Sequence, residues 1–540
     1  MDEFAGSAQE MKAIRFASLS AIALAAGSAT GGAPAAAAPR QQADSCTALT
    51  GRALANGKIE AATPLTIGAT VDTGPGMPGL PAAAPFCRVQ AVMTPVPGSS
   101  IKVEVWLPPQ AAWNGKLMGA GNGGFGANLG IPALLMRGAV ARGYASVGSD
   151  MGHFGKSDVD GSWALNAPEK IRDYGWRANH IAAQTAKQVI AAYYPAPLAA
   201  SYFHGCSDGG RQALMEAQRF PDDYDAIIAG APAIPWTRMA SAFASNAQVL
   251  RQPGAALGST QLKLLQTASL AKCDKLDGVA DGVIENPRLC RFDPAELQCK
   301  PGATGECLTP PQVASARHLY QGPKGPDGKS FYPGFAPGAE GEPGTWGMWL
   351  TAADSQHAKF SGEFFRYFVH SDAEWPASRF NLASDYPLAR AKLSKELDIE
   401  SADLKAFFRR GGKLLMYHGW QDAAIPPENT IGFVGRVLAA DPAARDRIRL
   451  FMAPGMSHCM AGPGPNVFDA LGTLDAWHKG GPAPERIVAT KFDNDLFGYL
   501  GFPAKAQRTR PLCAWPKVAR WDGKGSTDEA ASFTCEVPGK

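Results

Sequence analysis

The stretch SYFHGCSDGGRQALMEAQRF (residues 201–220) gives the strongest indication of the fold of this 540-residue chain. Ser201–Phe203 predicts a strand, residues 211–220 predict a helix, and Gly205-Cys206-Ser207-Asp208-Gly209 between them fits the pattern G-x-S-x-G. Such a turn holds its serine in a strained conformation and has room only for glycine on either side. It places the Ser207 hydroxyl at a helix N-terminus, whose dipole favours negative charge. The stretch is typical of a serine nucleophile; a glycine-rich turn without chemistry is the alternative.

Strands and helices alternate on both sides of this stretch. Apolar runs that predict strands stand at Ile101–Leu107, Leu117–Met118, Tyr144–Val147, Ala226–Ala229, Lys413–Tyr417 and Ile448–Met452, and a helical pattern at Asp173–Tyr194. Alternation of this kind predicts an α/β fold with a mostly parallel sheet. Between 234 and 400 the pattern breaks into Pro-, Gly-, Trp- and Cys-rich sequence with weak strand signals. We therefore expect a core at 41–233 and 401–540, and an inserted lid domain at 234–400 over the site.

Composition excludes several classes of protein. The chain has 52 Lys+Arg against 49 Asp+Glu, a net charge of +3, which is too balanced for a nucleic-acid binder. Its 60 glycines and 43 prolines indicate long loops without reaching a disordered composition. No apolar run beyond the N-terminus reaches the roughly 20 residues that span a bilayer. A membrane channel, a coiled coil and a disordered scaffold are excluded.

The N-terminus resembles a secretory leader. Lys12 and Arg15 precede the short apolar run Phe16–Ala26, and Ala35–Ala38 offers a cleavage site of small residues. We assign residues 1–40 to a signal peptide and leader, and expect a secreted or periplasmic protein. A disordered Ala/Gly tail is the alternative.

Cysteine usage fits export. The ten cysteines are an even number, which in an exported chain predicts disulfide bonds rather than buried thiols. Short loops favour Cys273–Cys290, Cys299–Cys307 and Cys513–Cys535.

A serine nucleophile needs a base and an orienting carboxylate, which in this fold follow in the order Ser, Asp, His. Asp422 comes just after the strand Lys413–Tyr417, and His458 follows the strand Ile448–Met452. Both are therefore expected at the sheet edge that carries Ser207. His418 precedes the carboxylate, so we interpret His458 as the base and expect His418 to line the pocket as a substrate-binding residue.

Two cysteines adjoin this predicted triad. Cys206 directly precedes Ser207, and Cys459 directly follows His458. If the triad forms, a Cys206–Cys459 bond would fasten the nucleophile to the base and hold them in register.

The oxyanion hole requires two backbone N–H groups. One is that of Asp208, after the nucleophile. The glycine-rich segment 119–126 is expected to supply the other; we choose Gly124, with Gly123 next. The glycine run could also be only a flexible turn.

The sequence CDKLDGVADGVI (273–284) predicts a metal site. The carboxylates of Asp274, Asp277 and Asp281, with the carbonyls of Val279 and Val283, form an all-oxygen set that suits structural Ca²⁺ rather than zinc. The spacing is not that of an EF-hand. Two Asp-Gly turns without a metal are the alternative.

Taken together, these segments resemble the tannase and feruloyl esterase family of secreted α/β-hydrolases. The resemblance rests on GCSDGGRQ (205–212) with FPDDYDAIIAGAPA (220–233), the loop at 273–282, YHGWQDAAIPP (417–427), PGMSHC (454–459) and RTRPLC (508–513). It implies an α/β-hydrolase core, a lid with a Ca²⁺ site, the triad Ser207, Asp422 and His458, and the bond Cys206–Cys459. It also implies that Cys46 pairs with Cys87.

The same resemblance implies the substrate class, an ester of an aromatic acid. The stretch FFRYFVHSDAEW (364–375) is more similar to feruloyl esterases than to other branches. We therefore expect cleavage of hydroxycinnamic esters, free or attached to plant polysaccharide or polyphenol. Tannase or terephthalate monoester hydrolase activity is the alternative, and a non-catalytic phenolic- or carbohydrate-binding protein a remote one. Phe368 and Trp375 could sandwich a phenolic ring or could be part of the lid core.

Overall fold

The computed structural model describes residues 44–74, 79–126, 128–302 and 306–538. The leader predicted at 1–40 lies outside them.

Sixteen strands occur in the described residues. They are β1 (Ala53–Leu54), β2 (Gly57–Leu65), β3 (Thr70–Val71), β4 (Leu80–Pro81), β5 (Phe86–Met93), β6 (Ile101–Leu107), β7 (Lys116–Ala120), β8 (Ala145–Ser149), β9 (Ala200–Cys206), β10 (Ala226–Gly230), β11 (Lys413–Gly419), β12 (Ile448–Ala453), β13 (Arg486–Phe492), β14 (Ala506–Cys513), β15 (Val518–Trp521) and β16 (Phe533–Glu536).

Helices fill most of the segments between them. The α-helices are α1 (Gly130–Ala141), α2 (Pro168–Arg172), α3 (Ala178–Tyr193), α4 (Asp208–Arg219), α5 (Trp236–Leu250), α6 (Ser259–Cys273), α7 (Pro310–Gln321), α8 (Gln356–Glu363), α9 (Leu382–Leu397), α10 (Lys405–Arg409), α11 (Pro427–Ala440), α12 (Ala470–His478) and α13 (Asp495–Leu500). Wider π-helical turns form at Asp173–Arg177, Gly347–Thr351 and Phe364–His370.

Ten strands build the central sheet, in the order β1-β2-β5-β6-β8-β7-β9-β10-β11-β12. The six strands from β8 to β12 in this order run parallel, and β1, β2, β5 and β6 continue the sheet with antiparallel pairing. The predicted α/β class with a mostly parallel sheet is confirmed. The antiparallel edge was not predicted, because β2 is short of apolar residues and is exposed at alternate positions.

Helices cover both faces of the parallel strands, which are apolar throughout. Every residue of β10 is buried, as a strand between two helical layers requires. Helices α1 and α12 pack on one face, and α4 and α11 pack on the other. This arrangement brings the carboxyl ends of β9, β11 and β12 to one edge.

A long insertion separates β10 from β11. Its described residues contain α5 to α9 and the short α10, and they form no strand, so the weak strand signals there do not correspond to strands. Its buried aromatic side chains join the core of the first half of the chain in one apolar cluster, which includes Phe125, Trp236, Phe360 and Phe364. The insertion is thus packed firmly onto the edge that carries the β9–α4 turn.

Five disulfide bonds cross-link the described residues, and all ten cysteines take part. The pairs are Cys46–Cys87, Cys206–Cys459, Cys273–Cys290, Cys299–Cys307 and Cys513–Cys535. These are the pairs expected from the sequence. A helix long and apolar enough to cross a membrane is not found in the described residues.

Candidate active site

Ser207 occupies a strained turn between β9 and α4. Its backbone has φ 65° and ψ −123°, a conformation that costs a non-glycine residue about 1–3 kcal/mol. A Cβ atom at Gly205 would lie 2.3 Å from the Gly209 carbonyl oxygen, and one at Gly209 would lie 2.7 Å from the Asn122 carbonyl oxygen. The expectation that only glycine fits on either side of the serine is confirmed.

Asp422 and His458 meet beyond the ends of β11 and β12. His458 Nδ1 lies 2.8 Å from Asp422 Oδ2. The other carboxylate oxygen accepts hydrogen bonds from the backbone N–H groups of Ala424 and Ile425, at 2.8 and 2.9 Å. Burial alone would raise the pKa of Asp422, but the neighbouring His458 and His418 hold it well below its usual range. Asp422 therefore remains an anion that orients the His458 ring.

The Cys206–Cys459 bond ties the serine turn to the histidine loop. The two Cα atoms are 6.0 Å apart, although 253 residues separate the cysteines in sequence. Ser207 and His458 line the same cavity beside this bond. The ring of Trp349 from the insertion meets the His458 ring edge-on, with centroids 5.0 Å apart. Ser207 and His458 thus lie at one cavity, and Asp422 contacts the His458 ring.

Two backbone N–H groups near Ser207 are free to bind an anion. Those of Asp208 and Gly124 donate no hydrogen bond among the described residues. The N–H of Gly123, the second choice from the sequence, donates to Asn122 Oδ1 at 2.9 Å. Gly124 lines the cavity with φ +56°, which favours glycine. This geometry fits the expected oxyanion pair better with Gly124 than with Gly123.

His418 does not line the cavity, and the expectation that it binds substrate there is wrong. It is completely buried, with Nε2 2.9 Å from the Ile425 carbonyl oxygen and 3.1 Å from Asp422 Oδ2. A carbonyl oxygen only accepts, so Nε2 carries the proton, and Nδ1 pairs with the Thr430 hydroxyl at 2.7 Å. Neighbouring residues of a strand face opposite sides, so Tyr417 reaches the cavity and His418 cannot. His418 instead holds the Asp422 carboxylate from behind.

The cavity has a volume of about 300 Å³ and is largely apolar. An aromatic wall comes mainly from the insertion, with Phe125 from the core; it is formed by Phe125, Trp236, Phe243, Trp349, Phe360 and Phe364. Phe368 and Trp375 do not contribute to it. Phe368 packs on Phe125 and Trp163, and Trp375 stacks on His370. Of the two roles considered for them, the structure supports packing in the interior.

Few charged side chains face this cavity. No lysine or arginine is among its lining residues in the described chain. Asp158 lines it next to Gly124, and its side chain is exposed to solvent. His204 also lines it, and burial lowers the pKa of its imidazole to about 4. Among the described residues, the lining therefore holds the carboxylate of Asp158 and no lysine or arginine to offset it.

The aromatic wall and Asp158 were not predicted from the sequence. Their positions depend on how the insertion folds onto the core, and no local pattern in 234–400 encodes that packing. The predicted triad, by contrast, is marked by short strand-turn patterns.

The acidic loop borders a small cavity, and three of the five predicted calcium ligands line it. Asp277, Asp281 and Val283 line it, together with Glu285, which the sequence analysis did not single out; Asp274 and Val279 do not. The Asp274 carboxylate accepts from the N–H groups of Asp281 and Gly282, at 3.2 and 3.1 Å.

The charge of the acidic loop is partly balanced by an arginine. The Asp281 carboxylate pairs with Arg510 from β14, and within the described residues no three His, Cys, Asp or Glu side chains are arranged around one metal position. The donor chemistry nevertheless suits a hard cation. Burial and the neighbouring carboxylates of Asp281 and Asp274 raise the pKa of Asp277 to about 6, and a bound cation would relieve that repulsion.

Comparison with known proteins identifies relatives over almost the whole chain. The family model described as tannase and feruloyl esterase matches residues 87–536. An uncharacterised esterase of Xanthomonas campestris pv. campestris is 37% identical over 91% of both chains. The mono(2-hydroxyethyl) terephthalate hydrolase of Piscinibacter sakaiensis is 32% identical over 88% of this chain and 89% of its own. The crystal structure of feruloyl esterase B from Aspergillus oryzae superposes with a TM-score of 0.82 at 27% identity, and covers 92% of this chain and all of its own.

Proposed function

Because the chain belongs to the tannase and feruloyl esterase family and is a carboxylic ester hydrolase, we propose that it cleaves esters of hydroxycinnamic acids through an acyl-enzyme on Ser207. The observation that carries this proposal is the convergence of Ser207, His458 and Asp422 beside an aromatic-walled cavity.

In the proposed reaction, His458 accepts the Ser207 proton while the serine oxygen attacks the ester carbonyl. Asp422 accepts a hydrogen bond from Nδ1 of the imidazole, which leaves Nε2 to accept the serine proton. The Asp422 carboxylate also stabilises the imidazolium that then forms. The oxyanion is held by the N–H groups of Asp208 and Gly124, and each such donor is worth roughly 10²–10³-fold in kcat. His458 then protonates the leaving alcohol. In the second step His458 accepts a proton from water, which attacks the acyl carbonyl, and then returns that proton to the Ser207 oxygen as the acid leaves.

The cavity lining supports ferulate over the other aromatic acids of the family. A terephthalate monoester carries a free carboxylate, which would lose its hydration against walls without lysine or arginine and beside Asp158. A galloyl group carries three hydroxyls, few of which could find partners against the aromatic wall of Trp236, Phe243 and Phe360. A feruloyl ring buries one flat, mostly apolar face there.

The test is to measure kcat/KM on methyl ferulate, methyl gallate and a terephthalate monoester side by side. We expect kcat/KM for methyl ferulate to exceed kcat/KM for the terephthalate monoester by at least roughly tenfold, because burying an unpaired charge costs more than about 1.4 kcal/mol. Preference for the monoester or for the gallate would contradict the proposed acyl group. Absence of turnover on every ester would instead support a non-catalytic binding protein.

We further propose a structural Ca²⁺ held by Asp274, Asp277, Asp281 and the carbonyls of Val279 and Val283. When bound, the ion would neutralise carboxylates that burial leaves crowded. Treatment with a chelator should lower the Tm by several degrees, and added Ca²⁺ should restore it. An Asp277→Asn variant should lose that response. Identical melting curves with and without chelator would overturn the calcium proposal.

Export to the periplasm or medium is the proposed location, with residues 1–40 removed. Five disulfide bonds suit an oxidising compartment. N-terminal sequencing of the protein isolated from its host should find a start near residue 40. An intact N-terminus would contradict export by cleavage.

A further inference from the structure

Part of the cavity lining comes from core elements around Cys206, and we call this part the side compartment. It is lined by Leu134 and Leu135 of α1, His204 of β9, Tyr417 of β11 and Tyr499 of α13. None of these residues belongs to the insertion, which supplies most of the aromatic wall.

Strand geometry explains why His204 and Tyr417 face the same space. His204 and Cys206 are two residues apart on β9 and therefore share a face. Both Cys206 and Tyr417 pair with Gly230 of the strand between them. A Cβ atom at Gly230 would lie 2.2 Å from Tyr417 Cζ, so the absence of a side chain there lets the tyrosine ring lie across the central strand toward β9.

His204 and Tyr417 each present a polar group to the cavity. Among the described residues, neither the His204 ring nor the Tyr417 hydroxyl makes a hydrogen bond, whereas Tyr202, on the same strand and face, bonds Asp475 at 2.7 Å. Burial keeps His204 neutral, so its ring offers one donor and one acceptor. Unmatched donors and acceptors in a cavity wall are costly unless a ligand or water pairs with them.

We propose that the side compartment binds the alcohol part of the ester, and that His204 and Tyr417 select alcohols that carry a further hydroxyl group, such as a polyol or a sugar. The inference rests on the proposed acyl-enzyme mechanism. Cys459 and Met460, which directly follow the base His458, line the cavity as well, and His458 must protonate the leaving oxygen. The alcohol therefore leaves beside His458 and Cys459, and Cys459 is bonded to Cys206, which shares a face of β9 with His204.

The test compares two esters of one acid, a methyl ester and a glycerol ester, using the aromatic acid that the unsubstituted enzyme cleaves best. Both esters form the same acyl-enzyme, so kcat/KM reports differences in the alcohol alone. Tyr417→Phe removes only a hydroxyl, and His204→Phe removes both ring nitrogens. We expect each variant to lower kcat/KM for the glycerol ester by roughly three- to tenfold, the worth of one hydrogen bond, and to change the methyl ester less than twofold.

The matched control is Tyr386→Phe, which removes a tyrosine hydroxyl near Arg238, away from the cavity. It should leave both rates unchanged, and melting curves establish that each variant is folded. The proposal would be overturned if a variant lowered kcat/KM equally for the two esters. It would also be overturned if a variant changed the preference among acids but left the preference between methyl and glycerol esters unchanged. Failure of the unsubstituted enzyme to cleave either ester would overturn the proposed function instead.

Discussion

At the scale of single residues, the Asp422 carboxylate organises the site, because it holds the His458 ring and is itself held by His418 and two backbone N–H groups. Asp422→Asn keeps the shape but can present an amide N–H to His458 and so favours the wrong tautomer. We expect kcat to fall by roughly 10⁴-fold while the protein stays folded. Asp327→Asn, on an exposed turn, is the control and should keep full kcat. An Asp422→Asn enzyme within tenfold of the parent would contradict this role.

Asp150, which directly follows β8, should make stability depend on pH. Burial raises the pKa of its carboxyl to about 7, although the N–H groups of Lys102 and Gly152 donate to it. In the unfolded chain the group ionises near pH 4, so the stability contributed by the protonated form is present below pH 4 and is lost as the pH rises toward 7. The loss amounts to at most about 4 kcal/mol.

The measurement for Asp150 is a comparison of Tm with Asp150→Asn, whose amide does not titrate. From pH 4 to 7 the variant should gain Tm relative to the parent. A constant difference between the two across that range would show that Asp150 ionises normally in the folded protein.

Local patterns point to the triad candidates but not to every neighbour. Ser207, Asp422 and His458 each follow a recognisable strand, and strand ends of a parallel sheet meet at one edge. The error at His418 came from reading a sequence neighbour of the site as a spatial one, whereas strand alternation turns its side chain away from the cavity and toward Thr430.

At the scale of elements, one buried arginine joins α4 to the π-helical turn before α3. Arg211 is fully buried, bonds Asp208 at 2.6 Å, and donates to the carbonyl oxygens of Gly175 and Tyr174. Arg211→Gln would leave the Asp208 charge buried without its partner, and we expect the free energy of unfolding to fall by roughly 3–5 kcal/mol.

Arg390→Gln is the matched control for this ion pair. Arg390 pairs with Glu400 on the surface, and both side chains are about half exposed, so its loss should change stability by less than about 1 kcal/mol. Equal effects of the two substitutions in denaturant unfolding would contradict a structural role for the buried pair.

The Cys206–Cys459 bond links two elements of the site, and its removal should affect activity more than folding. In a Cys206→Ala/Cys459→Ala variant the other four disulfides remain, while the serine turn and the histidine loop lose their direct connection. We expect kcat to fall by roughly 10- to 100-fold, because small misplacements of base and nucleophile are that costly.

Cys299→Ala/Cys307→Ala also removes one disulfide bond, but its residues do not line the cavity, and it should leave kcat unchanged. Melting curves of both double variants measure the effect on folding. An unchanged kcat in the Cys206→Ala/Cys459→Ala variant would contradict the proposed preorganisation.

Strands with continuous apolar sequence could be predicted, whereas strands and helices with a weak hydrophobic pattern could not. The parallel strands of the core are buried on both faces and appear as continuous apolar sequence. At the antiparallel edge, β2 has several exposed positions and β5 is only partly buried at alternate positions. The insertion is helical despite its Pro- and Gly-rich sequence, because packing of aromatic side chains such as Phe364 and Trp346 outweighs local propensity.

At the scale of the whole molecule, the core supplies the chemistry and the insertion supplies most of the aromatic wall. Segments that are 253 residues apart in sequence meet at one sheet edge, and the Cys206–Cys459 bond joins them covalently. The position of the insertion could be predicted from where the alternation breaks. Its contacts with the cavity could not, because they are tertiary contacts between Trp349, Phe360 and residues of the core that no local pattern specifies.

The central claim, an acyl-enzyme on Ser207, is tested most directly by mass spectrometry after reaction with an aryl phosphonate that mimics the tetrahedral intermediate. We predict one adduct per chain, located on the peptide that contains Ser207, with complete loss of ester hydrolysis. A Ser207→Ala variant should take up no label, show no hydrolysis and melt as the parent does. An adduct on another residue, or retained hydrolysis in Ser207→Ala, would contradict the account.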